Sequence, residues 1–140
     1  MSIWKNKATV EVLNAGNKNT LVELIGIEIT EIGADYLKAT MPVDERTKQP
    51  YGLLHGGASA VLSESLGSIA ANLCLDLNTH YAVGLEISAT HLKSATNGFV
   101  TAICKAIKIG RKIQVWQTQL FNDEEQLICD SKLTVVVIER

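Results

Sequence analysis

The chain has 140 residues, 46% of them hydrophobic and 20% charged, with a formal net charge of -2. That length fits one domain over residues 1–140, with a core large enough to need no staples. The charge argues against nucleic acid as a partner, the N-terminus lacks the apolar run of a signal peptide, and the apolar stretches are too interrupted to span a membrane. The three cysteines, Cys74, Cys104 and Cys129, form no C-x-x-C pair. Each sits among apolar neighbours, as reduced core thiols of a cytoplasmic protein do.

Residues 9 to 14 read as a short helix capped by Thr9, and residues 19 to 26 as a second one closed by Gly26. Residues 27 to 32 alternate apolar and polar side chains, and residues 36 to 41 return as the hairpin partner, ended by Pro42. Residues 43 to 54 form an irregular loop with Asp44, Glu45, Arg46 and Lys48 exposed. After a long helix come strand patterns at 81–94, 99–109, 113–121 and 127–138. The first places Tyr81, Val83, Leu85, Ile87, Ala89 and His91 on one face. Short connections predict an antiparallel meander. The expected class is α+β: one long apolar helix wrapped by a curved antiparallel sheet of about five or six strands.

The helix and the loop before it, residues 49 to 77, hold the chemistry. A helix this apolar is expected to be buried, yet it carries Glu64 in its interior. A buried, unpaired carboxylate is costly. At 100° per residue, Ala58, Leu62, Leu66, Ile69 and Leu73 form a bulky stripe for the sheet. The opposite face holds Gly57, Ala60, Glu64, Gly67, Ser68 and Ala71. Small residues there leave room for a second backbone or a ligand. The plain alternative is a helix side facing water. At the helix start, His55-Gly56-Gly57 turns backbone N–H groups toward the positive end of the dipole, a setting that suits an oxyanion. The plain alternative is a helix start with unusual dihedral angles. Gly56 and Glu64 are eight residues apart, about 12 Å along a helix. One chain cannot bring both to one carbonyl, but two chains with antiparallel helices can. A functional homodimer is therefore expected.

These residues carry a family resemblance. The chain resembles the hotdog-fold acyl-CoA thioesterases, in the branch of the hydroxybenzoyl-CoA, enterobactin-proofreading and dihydroxynaphthoyl-CoA enzymes. The likeness begins at Ile3-Trp4-Lys5 and is densest from Arg46 to Ser59 and from Glu64 to Ser68. It continues through Val83-Gly-Leu-Glu-Ile87 and His91 to Gln114-Val-Trp-Gln117. It implies a hotdog fold, dimers paired into a tetramer, and no metal or cofactor beyond the coenzyme A of the substrate. It also implies roles. Glu64 is the nucleophile or general base, and the Gly56 N–H polarises the thioester carbonyl. Gln49 and His55 position the thioester, and Ser68 supports Glu64 or its water. Coenzyme A contacts fall on Gly84, on His91, Leu92, Lys93 and Ser94, and on Lys108, Ile109, Gly110, Arg111, Lys112 and Ile113. Some relatives carry Arg where Lys93 stands; a lysine is a point charge rather than a planar fork. The acyl pocket is expected along the small helix face with Tyr51, Val61, Ile69 and Val83. The rival readings are a hydroxyacyl-thioester dehydratase and a non-catalytic acyl-CoA binding module.

Overall fold

In chain order, a computed structural model describing residues 1–140 holds helices α1 (Val10–Gly16) and α2 (Leu21–Leu24), strands β1 (Glu28–Ile32) and β2 (Tyr36–Pro42), and the long helix α3 (Gly56–Leu73). Strands β3 (His80–His91), β4 (Phe99–Ile109), β5 (Ile113–Phe121) and β6 (Leu127–Glu139) follow. Thr9 caps α1 as expected, accepting the Val12 N–H. Gly26 adopts φ +80°, the left-handed conformation that ends a helix at low cost. All six strands form one antiparallel sheet in the order β1-β2-β4-β5-β6-β3. With α3 packed on it, this is the hotdog fold expected from sequence.

The expected meander holds only for β4 to β6. Strand β3 lies at the far edge beside β6 rather than beside β4. Helix α3 causes this: the chain leaves β2 on the β1 side of the sheet, and α3 delivers it to the other side. The return runs under the loop before α3, where Leu54 N–H donates to the Ala95 carbonyl and Val43 N–H to that of Gly98. A bulge between Gly84 and Glu86 also breaks the expected one-faced pattern of β3. Before the bulge Ala82 is buried; after it Ile87 and Ala89 pack on the core.

The two sheet edges differ. Asn14 of α1 closes the β1 edge, donating Nδ2 to the Ile29 carbonyl at 2.9 Å and accepting the Ile29 N–H at 2.8 Å. Strand β3 has 12 residues, no neighbour on its outer side, and exposed Val83 and Leu85. Long bare apolar edges of this kind invite another strand.

The core lies between α3 and the sheet. Leu62, Leu66, Ala70 and Leu73 face Leu133, Val135, Trp116 and Leu120. Gly67 and Ala71 are buried too, so they belong to the packed face and not to the open one. A Cβ on Gly67 would come within 2.8 Å of Leu133 Cδ2. Ile69 moves the other way and lines an open cavity. The wheel is rotated because the glycine admits the Leu133 and Trp116 side chains, which a bulky stripe would hold off. Trp4 stacks on Trp116 at 6.0 Å and donates its indole N–H to the Gly33 carbonyl, tying the N-terminal segment to the core. The three cysteines are free and buried, and burial pushes Cys74 up to about 11 and Cys104 up to about 12. They are neutral packing groups rather than nucleophiles.

Candidate active site

Helix α3 is unbroken from Gly56 to Leu73, so Gly56 and Glu64 stay about 12 Å apart along its axis. Each meets β3 at a different place. A Cβ on Gly84 would lie 2.5 Å from Glu64 Oε2, so the carboxylate rests against the bare backbone of β3. A Cβ on Gly56 would lie 2.7 Å from His91 Nε2, so the imidazole covers the helix start. Both glycines are needed for close approach. The expectation that Gly56 leaves space for a ligand is thereby refined, since part of that space is taken by His91.

At the helix start, His55 is the N-cap. Its Nδ1 accepts the Gly57 N–H at 2.7 Å. That bond leaves the ring proton on Nε2, where it can be donated. The Gly56 N–H has no partner within the chain, as the first N–H groups of a helix do not. Gln49 sits in a turn closed by the Gly52 N–H, and its Oε1 accepts the Tyr51 N–H. Its Nε2 is left to donate outward. Gln49, Gly56, His91, Leu92, Lys93 and Ser94 line one cavity of about 360 Å³. Leu53, Leu54, Ser59 and Ile128 join them there, unforeseen from sequence.

Glu64 and Ser68 line a second cavity of about 440 Å³ with Val61, Ser65 and Ile69. Glu64 is exposed within its chain, which corrects the expectation of a buried charge. The physical reason is that its flank of α3 overhangs the β3 edge instead of facing the sheet. Ser68 lies one turn on and makes no side-chain hydrogen bond to Glu64. The far wall comes from Asn17, Leu21 and Val22. These residues carry no catalytic pattern, and in sequence they read as helix-end and cap chemistry. Asn72 was also not foreseen. It accepts the Ala82 N–H at 2.9 Å and donates to the Ser68 and Ala82 carbonyls, pinning β3 to α3 two residues before Gly84. Tyr51 lines neither of these two cavities and is 89% exposed. Val83 is likewise an edge residue, 39% exposed.

The turn from Lys108 to Ile113 lies at the Glu64 end of the sheet. The strand register runs from Gly84 to Val135, from Val135 to Gln114, and from Gln114 to Ile109. His91 instead faces Cys129 and then Leu120, toward the opposite end. One chain therefore gathers Glu64, Ser68, Gly84 and the basic turn at one end. It gathers Gln49, His55, Gly56 and the His91–Ser94 stretch at the other. Glu64 and the Gly56 N–H are not brought together within one chain.

Comparison with known proteins gives the family. Residues 51–129 match the thioesterase superfamily. The chain is 49% identical over 136 residues to the 1,4-dihydroxy-2-naphthoyl-CoA hydrolase of Escherichia coli, covering 97% of this chain and 99% of that protein. It is 46% identical to the proofreading thioesterase EntH of Cronobacter turicensis, covering 97% and 98%. Among solved structures, a mutant thioesterase from Pseudomonas aeruginosa superposes with a TM-score of 0.98 at 45% identity, over 99% of this chain and 100% of that one. A thioesterase from Haemophilus influenzae gives 0.95 at 47%, over 98% and 95%. The chain belongs to the thioesterase superfamily and has the hotdog fold. It is an enzyme that hydrolyses thioesters, which sets aside the dehydratase and binding-module readings. No helix is long and apolar enough to cross a membrane.

Proposed function

We propose that two copies of this chain pair along β3 and hydrolyse aroyl- or medium-chain acyl-CoA thioesters in the cytoplasm, at two sites each built from both copies. The observation that carries the proposal is the split just described. Glu64 rests on Gly84 in one half of the open edge strand, and Gly56 lies under His91 in the other. Antiparallel pairing of two β3 strands about Ile87 and Ser88 would set Gly84 opposite the partner's His91. Glu64 would then approach the partner's Gly56. The turn at Lys108–Ile113 would approach the partner's Lys93, gathering cations for the phosphates of coenzyme A. Two such dimers can pair further into a tetramer.

In this site the Gly56 N–H, the helix dipole and the free Nε2 groups of Gln49 and His55 polarise the thioester carbonyl. Glu64 either attacks the carbonyl carbon or takes the proton from the attacking water. When water attacks, its C–O bond forms as the C–S bond breaks and coenzyme A leaves as its thiolate; when Glu64 attacks, the same departure leaves an acyl–Glu64 anhydride, which water then hydrolyses to the free acid and the restored carboxylate. Ser68 supports Glu64 or the water. The reading calls for no metal and no cofactor other than the coenzyme A of the substrate.

Glu64→Ala is expected to fold and to lose activity by about a thousandfold; near wild-type hydrolysis would refute the role. Mixing decides the sharing. Glu64→Ala and Gly56→Ala chains, each weak alone, form hybrids with one intact site. After denaturation and joint refolding they are expected to recover about a quarter of wild-type activity, because half the dimers are hybrid and each has one good site of two. No recovery, or an active monomer by native mass measurement, would overturn the shared site.

A further inference from the structure

The outer edge of β3 is not open along its whole length. Ala82 pairs with Val137, but Val137 gives its N–H to the Lys112 carbonyl on the β5 side. The Ala82–Val137 pair therefore exchanges no hydrogen bonds, and the N–H and C=O of Ala82 point away from β6. Both are taken. Asn72, in the last turn of α3, accepts the Ala82 N–H at Oδ1 (2.9 Å) and donates Nδ2 to the Ala82 carbonyl (3.2 Å). The same Nδ2 donates to the Ser68 carbonyl at 2.8 Å, which holds the amide to its own helix. An amide so placed does what the peptide group of a neighbouring strand would do. Two residues earlier, the His80 N–H goes to the Asp76 carbonyl. The edge is thus closed at His80 and Ala82. From Gly84 onward no strand lies alongside, and Leu85 is 63% exposed where Ala82 is 7%.

We infer that Asn72 is a positioning residue that sets the register in which two copies pair along β3, and through it the alignment of Glu64 with the partner's Gly56. The inference rests on the shared-site reading above. In the register proposed there, Gly84 lies opposite the partner's His91, so pairing begins where the cover of Asn72 ends. A slip of two residues toward the strand start would need the backbone groups of Ala82, which are occupied. A slip of two the other way gives up paired residues at both ends of the stretch. Side-chain alternation forbids neither, because a two-residue slip keeps every side chain on its own face. Each slip moves the copies about 7 Å past one another, whereas a misplacement of about 1 Å already costs about a hundredfold in rate.

Asn72→Leu and Asn72→Ala remove the cover, the first at nearly constant volume. A nitroxide on Asn78→Cys, in the exposed turn before β3, reports the distance between copies, since the three native cysteines are buried. The turn lies on the line of the strand, so both variants are expected to add a distance about 7 Å from the wild-type one. With benzoyl-CoA, kcat is expected to fall about fivefold or more while KM stays within about twofold, because copies left in register work normally. An unchanged distance in both variants overturns the inference, whatever kcat does, and leaves the shared site standing. A changed distance with unchanged kcat also overturns it, since alignment would then not depend on register. So does a failure of both variants to fold, which would make Asn72 a pin of the fold alone. A wild type that shows no distance between copies would instead overturn the shared-site reading, and this inference with it.

Discussion

Gly84 and Gly56 perform the same structural service at the two ends of the α3–β3 contact, for different guests. At Gly84 the missing side chain admits the carboxylate of Glu64, and at Gly56 it admits the imidazole of His91. In the proposed mechanism one end holds the group that attacks, and the other holds the N–H groups that polarise. In that reading, a correctly folded single chain is only two half-sites. An intact helix keeps its ends apart, and on this proposal a second copy running the other way closes the gap.

The largest test of that contrast is Gly84→Ala. The added methyl would come within 2.5 Å of Glu64 Oε2, so the carboxylate must shift by about 1 Å, a displacement that can cost a hundredfold in kcat. Thermal stability is expected to change little, since Gly84 lies on the exposed edge. Unchanged kcat would mean that Glu64 works from another position. A smaller effect probes the cations at the two ends. Lys93→Ala and Arg111→Ala are each expected to raise KM for an acyl-CoA about three- to fivefold at low salt, and less as salt screens the contact. A KM indifferent to both changes and to salt would leave these cations merely solvated.

The smallest effect concerns the core that joins the two ends and should not tell them apart. Burial pushes Cys104 up to about 12 from an ordinary 9.0. The unfolded chain ionises this thiol first, so stability is present below pH 9 and is lost as pH rises from 9 toward 12. Cys104→Ala is expected to flatten that alkaline decline in a chemical denaturation series. An equally steep decline in the variant would assign it to other groups.

Much of this was legible in the chain itself. Thr9, Gly26 and Pro42 mark element ends through local backbone chemistry, and the period-two stretches mark strands whatever they pair with. The eight-residue gap from Gly56 to Glu64 already set these two groups apart along one helix. The place of β3 was not legible, because a short connection suggests a neighbour, while a helix lying across the sheet carries the chain elsewhere. The inner face of α3 was misjudged at Gly67, Ile69 and Ala71. A helical wheel ranks bulk, whereas packing ranks fit, and Leu133 fits only against a glycine. Asn72 gave no signal, since its role depends on where β3 settles against α3.

By itself, then, the sequence determined the elements, the family likeness and the candidate catalytic groups, all of which depend on residue type and near spacing. Only the tertiary structure decided which sheet edge stays open, that Glu64 lies against Gly84 and His91 over Gly56, and that Asn17 lines the Glu64 cavity. Those are contacts between segments distant in sequence. They are set by how side chains fill space between α3 and the sheet, and a one-dimensional pattern does not encode that fit.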